Sequence, residues 1–182
     1  MNFRRFGAAL LVACAFAGVA RGQDITLTAR DGGLDHWVEG TVGTLAFLVL
    51  TDQLPRNMFR GKADSFATDP LALAAAKTAI AQGWDLDAPE PERQFFYMPL
   101  EHSEDPADQA LCVELMAERM PSDPEMLLHA RAHQEIIARF GRFPTRNAAL
   151  GRVSTAEEAA FLEQGGYMAV VRSLTPSHAS DA

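Results

Sequence analysis

Two short stretches of this chain repeat one pattern of residues suited to holding an anion. Leu54-Pro55-Arg56-Asn57 and Phe143-Pro144-Thr145-Arg146-Asn147 each gather an apolar residue, a proline, an arginine and an asparagine into one corner. Each is trailed by a glycine and an arginine, Arg60-Gly61 and Gly151-Arg152. Proline sets the turn, asparagine tolerates a left-handed backbone, and the guanidinium offers a rigid fork that matches carboxylate or phosphate. If stacked helices face the two corners toward each other, they make an anion pocket with Arg56, Asn57, Arg142, Arg146 and Asn147 as donors and Gln53 beside them. The alternative is that each arginine pairs with a carboxylate and staples two helices, with Asp52, Glu101, Glu104 and Asp105 as candidate partners.

Proton-carrying groups stand elsewhere in the chain. Glu101-His102-Ser103-Glu104-Asp105 sets a histidine among carboxylates, which suits a proton carrier. His129 and His133 are four residues apart, so on a helix both point the same way. They share an arc with Met126, Ala130, Ala132, Ile136, Ile137 and Phe140 rather than the wet face. The functional reading of this pair is metal ligation or general base catalysis; the structural one is a core histidine bonded to a backbone carbonyl. The site expected from these residues takes His102 or His133 for proton transfer, with Asp52 or Glu104 orienting it. A metal held by His102, His129, His133 and Glu104 is a weaker option, and no metal is assigned. Hydrolytic or phosphate-handling chemistry fits these groups. A helical module that recognises a peptide fits them too, and the pattern names no cofactor.

The elements that must position these residues are helices. The chain has 182 residues, enough for one domain with a sizeable core, and 48% are hydrophobic. A net charge of -8 argues against a nucleic-acid binder and makes local arginine clusters stand out. Two cysteines, Cys14 and Cys112, build neither a disulfide framework nor a cysteine-based zinc site. Cys112, at helical spacing from Leu111 and Leu115, reads as a small buried apolar residue.

Gly43 to Leu50 is almost wholly apolar, with Thr41 as N-cap and Pro55 as the stop, and reads as a buried helix. Asp69-Pro70, Asp105-Pro106 and Asp123-Pro124 each join a capping residue to a proline suited to the first helical position. They predict helices over 70–82, from 106 to about 119, and over 124–140. Gly83 and Gly141 close the first and last of these. Pro89 and Pro91 open a short helix that Pro99 is expected to break. Ser154 with Glu157 reads as a capping box for a helix ending near Gly165-Gly166. The ITLT stretch has no other strand beside it, so residues 23–30 read as linker, and residues 175–182 as a polar tail. These signals define an all-α fold, a single domain built as an antiparallel helix-hairpin array.

Residues 1–22 combine an arginine pair, Arg4-Arg5, an apolar run and a small-x-small ending, as a secretory signal does; the alternative is a helix of the domain. The run is too short for a stable membrane span.

The blocks DQLPRNMFRG, FATDPLAL, FFYMPLEHSED and RFGRFPTRN, with LGR-ST-EE-FL after them, resemble the domain-of-unknown-function 924 family of bacterial proteins over about residues 31–163. The resemblance implies a tetratricopeptide-like helical fold and a cytoplasmic location, and it implies no known reaction. The alternative location is export, if residues 1–20 act as a signal. The family's usual aromatic opening block is absent, and Thr145 stands where members often carry histidine. The expected organisation is an atypical segment over 1–30, the family domain over 31–166, and a C-terminal segment with its tail over 167–182. A small anionic molecule or a peptide is the expected partner.

Overall fold

The computed structural model describes residues 28–175. The signal-like segment, Cys14 and the tail beyond residue 175 therefore lie outside the described residues. Among the described residues every regular element is helical and no strand occurs. Residues 28–30, expected as linker, are already helical. The chain divides after Leu100 into two compact units.

In the first unit, a 3-10 turn at Asp35–Trp37 leads to α1 (Thr41–Leu48), which runs on through a π-helical turn, Val49–Gln53, into α2 (Leu54–Met58). A 3-10 turn at Ala63–Phe66 precedes α3 (Asp69–Gln82), another at Trp84–Asp87 follows it, and α4 (Glu90–Glu101) runs to the end of the unit at Leu100, its last residue, Glu101, belonging to the second unit. On α3, Ala72, Ala75, Ala76 and Ala79 are the buried residues. Their small side chains and i, i+3, i+4, i+7 spacing give α1 a flat face to pack against. Phe47, Leu48, Leu50, Phe96 and Leu100 are buried core residues of this unit. Gly43 is required by a close approach: a Cβ there would lie 2.3 Å from the Trp37 carbonyl oxygen.

Pro55 does not stop the first helix. The widened π turn carries the chain past it, with Leu54 N–H bonding back to Val49 O. Pro55 has no N–H for the Thr51 carbonyl, and the buried Thr68 hydroxyl donates to that carbonyl instead. Pro99 does not break α4 either, and sits inside it.

In the second unit, α5 (Pro106–Arg119) and α6 (Pro124–Phe140) form an antiparallel hairpin joined through Met120–Asp123, and α6 packs on α8 (Gly166–Leu174). A 3-10 turn at Pro144–Arg146 and α7 (Ala156–Glu163) lie between. Ile136, Ile137, Phe143 and Phe161 form the core cluster, covered by Phe140, Tyr167 and Val170. Gly141, at φ 66°, caps α6 in the left-handed conformation expected of it.

Of the three Asp-Pro starts, only Asp105 caps with its side chain, accepting from Ala107 N at 2.8 Å. Asp69 is turned instead to Arg56, at 2.8 Å. Asp123 makes no side-chain cap. The capping box is real but lies one residue later than expected, on Thr155 and Glu158.

Candidate functional site

The second elbow is a closed network of charge and amide groups. Arg142 grips the buried Glu158 with two hydrogen bonds, Nε to Oε1 at 2.6 Å and Nη2 to Oε2 at 2.8 Å. Glu158 Oε2 also accepts from Thr155 N at 2.7 Å, so one carboxylate serves both the arginine and the start of α7. Arg142 and the backbone of Thr155 together hold the Glu158 carboxyl down at about 2. The buried Asn147 donates to Ser154 Oγ and Glu158 Oε2, and its own oxygen accepts from Arg152 Nε at 3.0 Å. Arg152 then meets both oxygens of Glu104, at 2.7 and 3.0 Å, and Glu104 Oε1 accepts from Phe143 N at 2.8 Å. Burial works to raise the Glu104 carboxyl, but Arg152 and the Phe143 amide outweigh it and keep it below the ordinary value.

The first elbow pairs within its own unit. Arg56 Nη2 lies 3.0 Å from buried Asp52 and 2.8 Å from Asp69, with its guanidinium over the Phe66 ring. Gln53 Nε2 donates to Asp52 Oδ2 at 2.5 Å and reaches Met98 Sδ at 3.6 Å. Asn57 Nδ2 donates to Gln53 O at 2.9 Å.

A different grouping lines a cavity in the second unit that carries both a histidine and an arginine. The cavity measures about 100 Å³ and is walled by His133, Ile136, Phe143, Pro144, Thr145, Arg146, Phe161 and Tyr167. That volume is roughly three waters, or one carboxylate or phosphate group. Behind His133 stands Glu101, 5% exposed, with Oε1 2.7 Å from Nδ1. His133 Nδ1 also lies 3.0 Å from the His129 carbonyl oxygen. Both neighbours of Nδ1 are acceptors, so Nδ1 carries a proton and donates it. Burial pushes the Glu101 carboxyl up, yet His133, with His102 and His129 further off, brings it below the ordinary value. Gln109 Nε2 fixes the backbone here by donating to the carbonyls of Glu101 and Ser103, each at 2.7 Å.

Arg146 brings positive charge to this wall. Its Nη2 donates to His102 O at 2.8 Å and its guanidinium lies 4.6 Å from the Phe143 ring centroid. The His102 ring meets the His133 ring edge-on at 6.2 Å. Tyr167 lies 4.8 Å from the His133 ring, and its hydroxyl bonds His129 Nδ1.

Of the residues expected at a site, His133 and Arg146 line the cavity and His102 stands beside it. Glu104, Arg142 and Asn147 belong to the network of the elbow. Asp52, Gln53, Arg56 and Asn57 belong to the first unit. Glu101 and Tyr167 are the additions. Glu101 opens the acidic block but reads from sequence as an arginine partner. Tyr167 carries no signal beyond its place after the Gly165-Gly166 restart. Among the described residues no group of three histidine, cysteine or acidic side chains is arranged to hold a metal ion. No helix there is long and apolar enough to cross a membrane.

What emerges is a helical protein with a buried carboxylate–histidine pair beside a small cavity. The chain belongs to the DUF924 family of bacterial proteins of unknown function, whose model matches residues 13–166. It is similar to a solved structure, the protein of unknown function ATU0120 from Agrobacterium tumefaciens, at 45% identity and a TM-score of 0.74, over 79% of this chain and 80% of that one. No curated protein matches it.

Proposed function

We propose that the cavity beside His133 receives a small anionic group, and that His133 acts there as a general base in a hydrolytic reaction. The observation that carries this reading is the Glu101–His133 pair at 2.7 Å, on the wall of a cavity that Arg146 also lines. A buried carboxylate on Nδ1 holds the imidazole in one tautomer and steadies the charge it gains when Nε2 takes a proton. Arg146 supplies attraction for the anion, and the rings of Phe143 and Tyr167 limit its size and shed water around it. Titration of the full chain with inorganic phosphate and with acetate, followed by the histidine ring resonances, tests the reading. The His133 signals are expected to move on binding, and Arg146→Gln is expected to weaken binding several-fold. Absence of any His133 response to either anion refutes it.

A second reading draws on the elbows. Arg142, Arg152 and Asn147 are engaged with Glu158 and Glu104, which favours a structural role for those motif residues in a helical interaction module. Support for a peptide groove is weaker, since an aromatic residue that could line one, Tyr97, is fully buried and bonded to Asp85. Pulldown with an immobilised chain separates the two readings, because a peptide module retains its partner in Arg146→Gln.

A further inference from the structure

We propose that Tyr167, His129 and Glu125 form a proton relay from the cavity to solvent, with Tyr167 as the acid that complements His133. The inference rests on the anion-pocket reading and adds the second half of its chemistry. Tyr167 lines the cavity and its ring lies 4.8 Å from that of His133. Its hydroxyl is hydrogen-bonded to His129 Nδ1, with the two rings stacked at 5.9 Å and 18°. The other nitrogen of His129, Nε2, lies 3.7 Å from Glu125 Oε1, whose side chain is 77% exposed. One imidazole therefore stands between a phenol at the cavity wall and a carboxylate in water. Helix spacing produces this: Glu125, His129 and His133 follow at four-residue intervals along α6, so all three stack on one face. Burial, reinforced by the charge of Glu101, pushes the Tyr167 phenol up, so its proton is held until a more basic departing oxygen takes it.

The substrate class that uses both groups is a small ester or phosphoester. His133 Nε2 removes a proton from water as its oxygen bonds to the carbon or phosphorus. The bond to the departing alcohol oxygen breaks, and Tyr167 gives that oxygen its proton. His129 Nδ1–H restores the phenol as Nε2 takes a proton from solvent at Glu125, so the imidazole stays neutral and ends as its other tautomer; uptake of a solvent proton at Nδ1 and loss of the one at Nε2 then reset it. Water is consumed, an acid and an alcohol leave, and His133 returns its proton to solvent.

The test uses the full chain, nitrogen-15 labelled at histidine, titrated with inorganic phosphate. In the wild type the ring signals of both His133 and His129 are expected to move. In Tyr167→Phe, His133 is expected to move and His129 to stay. If His133 moves and His129 does not in the wild type, or if His129 still moves in Tyr167→Phe, the relay is overturned while the anion pocket stands. If neither moves, both fall. Should Tyr167→Phe fail to fold, His129→Gln replaces it, and exchange of the Tyr167 hydroxyl proton with solvent is expected to slow several-fold. Unchanged exchange overturns the relay.

Discussion

Glu158 accepts from Arg142 through both of its carboxylate oxygens and at the same time from the backbone of Thr155, so a helix start and an inter-element ion pair share one side chain. The carboxyl is held at about 2, against an ordinary 4.5. A depressed folded-state value contributes stability above the unfolded one and loses it as pH falls toward the folded one. Urea midpoints of the wild type are therefore expected to drop between about pH 4.5 and pH 2, and Glu158→Gln to be less stable at neutral pH with a flatter fall across that window. Parallel curves for the two proteins would show that Glu158 carries none of the acid sensitivity.

Arg152 is the hinge of the rest of the elbow, because it ties Asn147 to Glu104 and also donates to the Phe143 carbonyl at 3.0 Å. Arg152→Ala removes charge-assisted bonds at a half-buried site and is expected to cost about 2 kcal/mol. Glu104→Gln in the same background should then add little, since the pair is already broken. Chemical denaturation of the single and double variants measures this coupling. Additive losses would mean that the two side chains stabilise the fold independently.

Local signals were legible in the sequence. Helix 124–140 is bounded by Pro124 and Gly141 as expected, and the acidic block meets α5 at a true Asp105 cap. Non-local choices were not. Glu158 was not among the carboxylates foreseen for an arginine, and it lies sixteen residues beyond Arg142. Glu104 was foreseen, but any of several arginines would have suited it. Glu101 takes a histidine instead of an arginine, since His133 reaches it from α6. Prolines misled for a related reason. Pro55 and Pro99 read as breaks because the loss of one N–H is a local fact. Whether another group satisfies the freed carbonyl is decided by packing.

Gly43 supplies a test of packing against propensity. In an exposed helix interior, replacing glycine with alanine gains about 1 kcal/mol. At Gly43 the added Cβ would lie 2.3 Å from the Trp37 carbonyl oxygen, a backbone atom that moves only with its chain. Gly43→Ala is thus expected to destabilise, by about 1–3 kcal/mol, as overpacking does. Thermal unfolding decides the sign. A raised midpoint would mean that the Asp35–Trp37 turn yields freely and that Gly43 is not needed for the approach.

Thr68 offers the sharper test of how Pro55 is tolerated. Thr51 and Thr68 are both fully buried, and the Thr68 hydroxyl donates to the carbonyl that Pro55 leaves without a partner. Thr68→Val keeps the shape of the side chain and removes only that donor. An orphaned buried carbonyl costs about 1–3 kcal/mol, which is the loss expected in urea denaturation. Restoring an N–H at position 55 with Pro55→Ala, in the Thr68→Val background, should recover part of it, because the ordinary helical bond to Thr51 can then form. The recovery has to appear only in that background. If Pro55→Ala stabilises the wild type as much as the variant, the Thr51 carbonyl was never dependent on Thr68, and the π turn is held by packing alone.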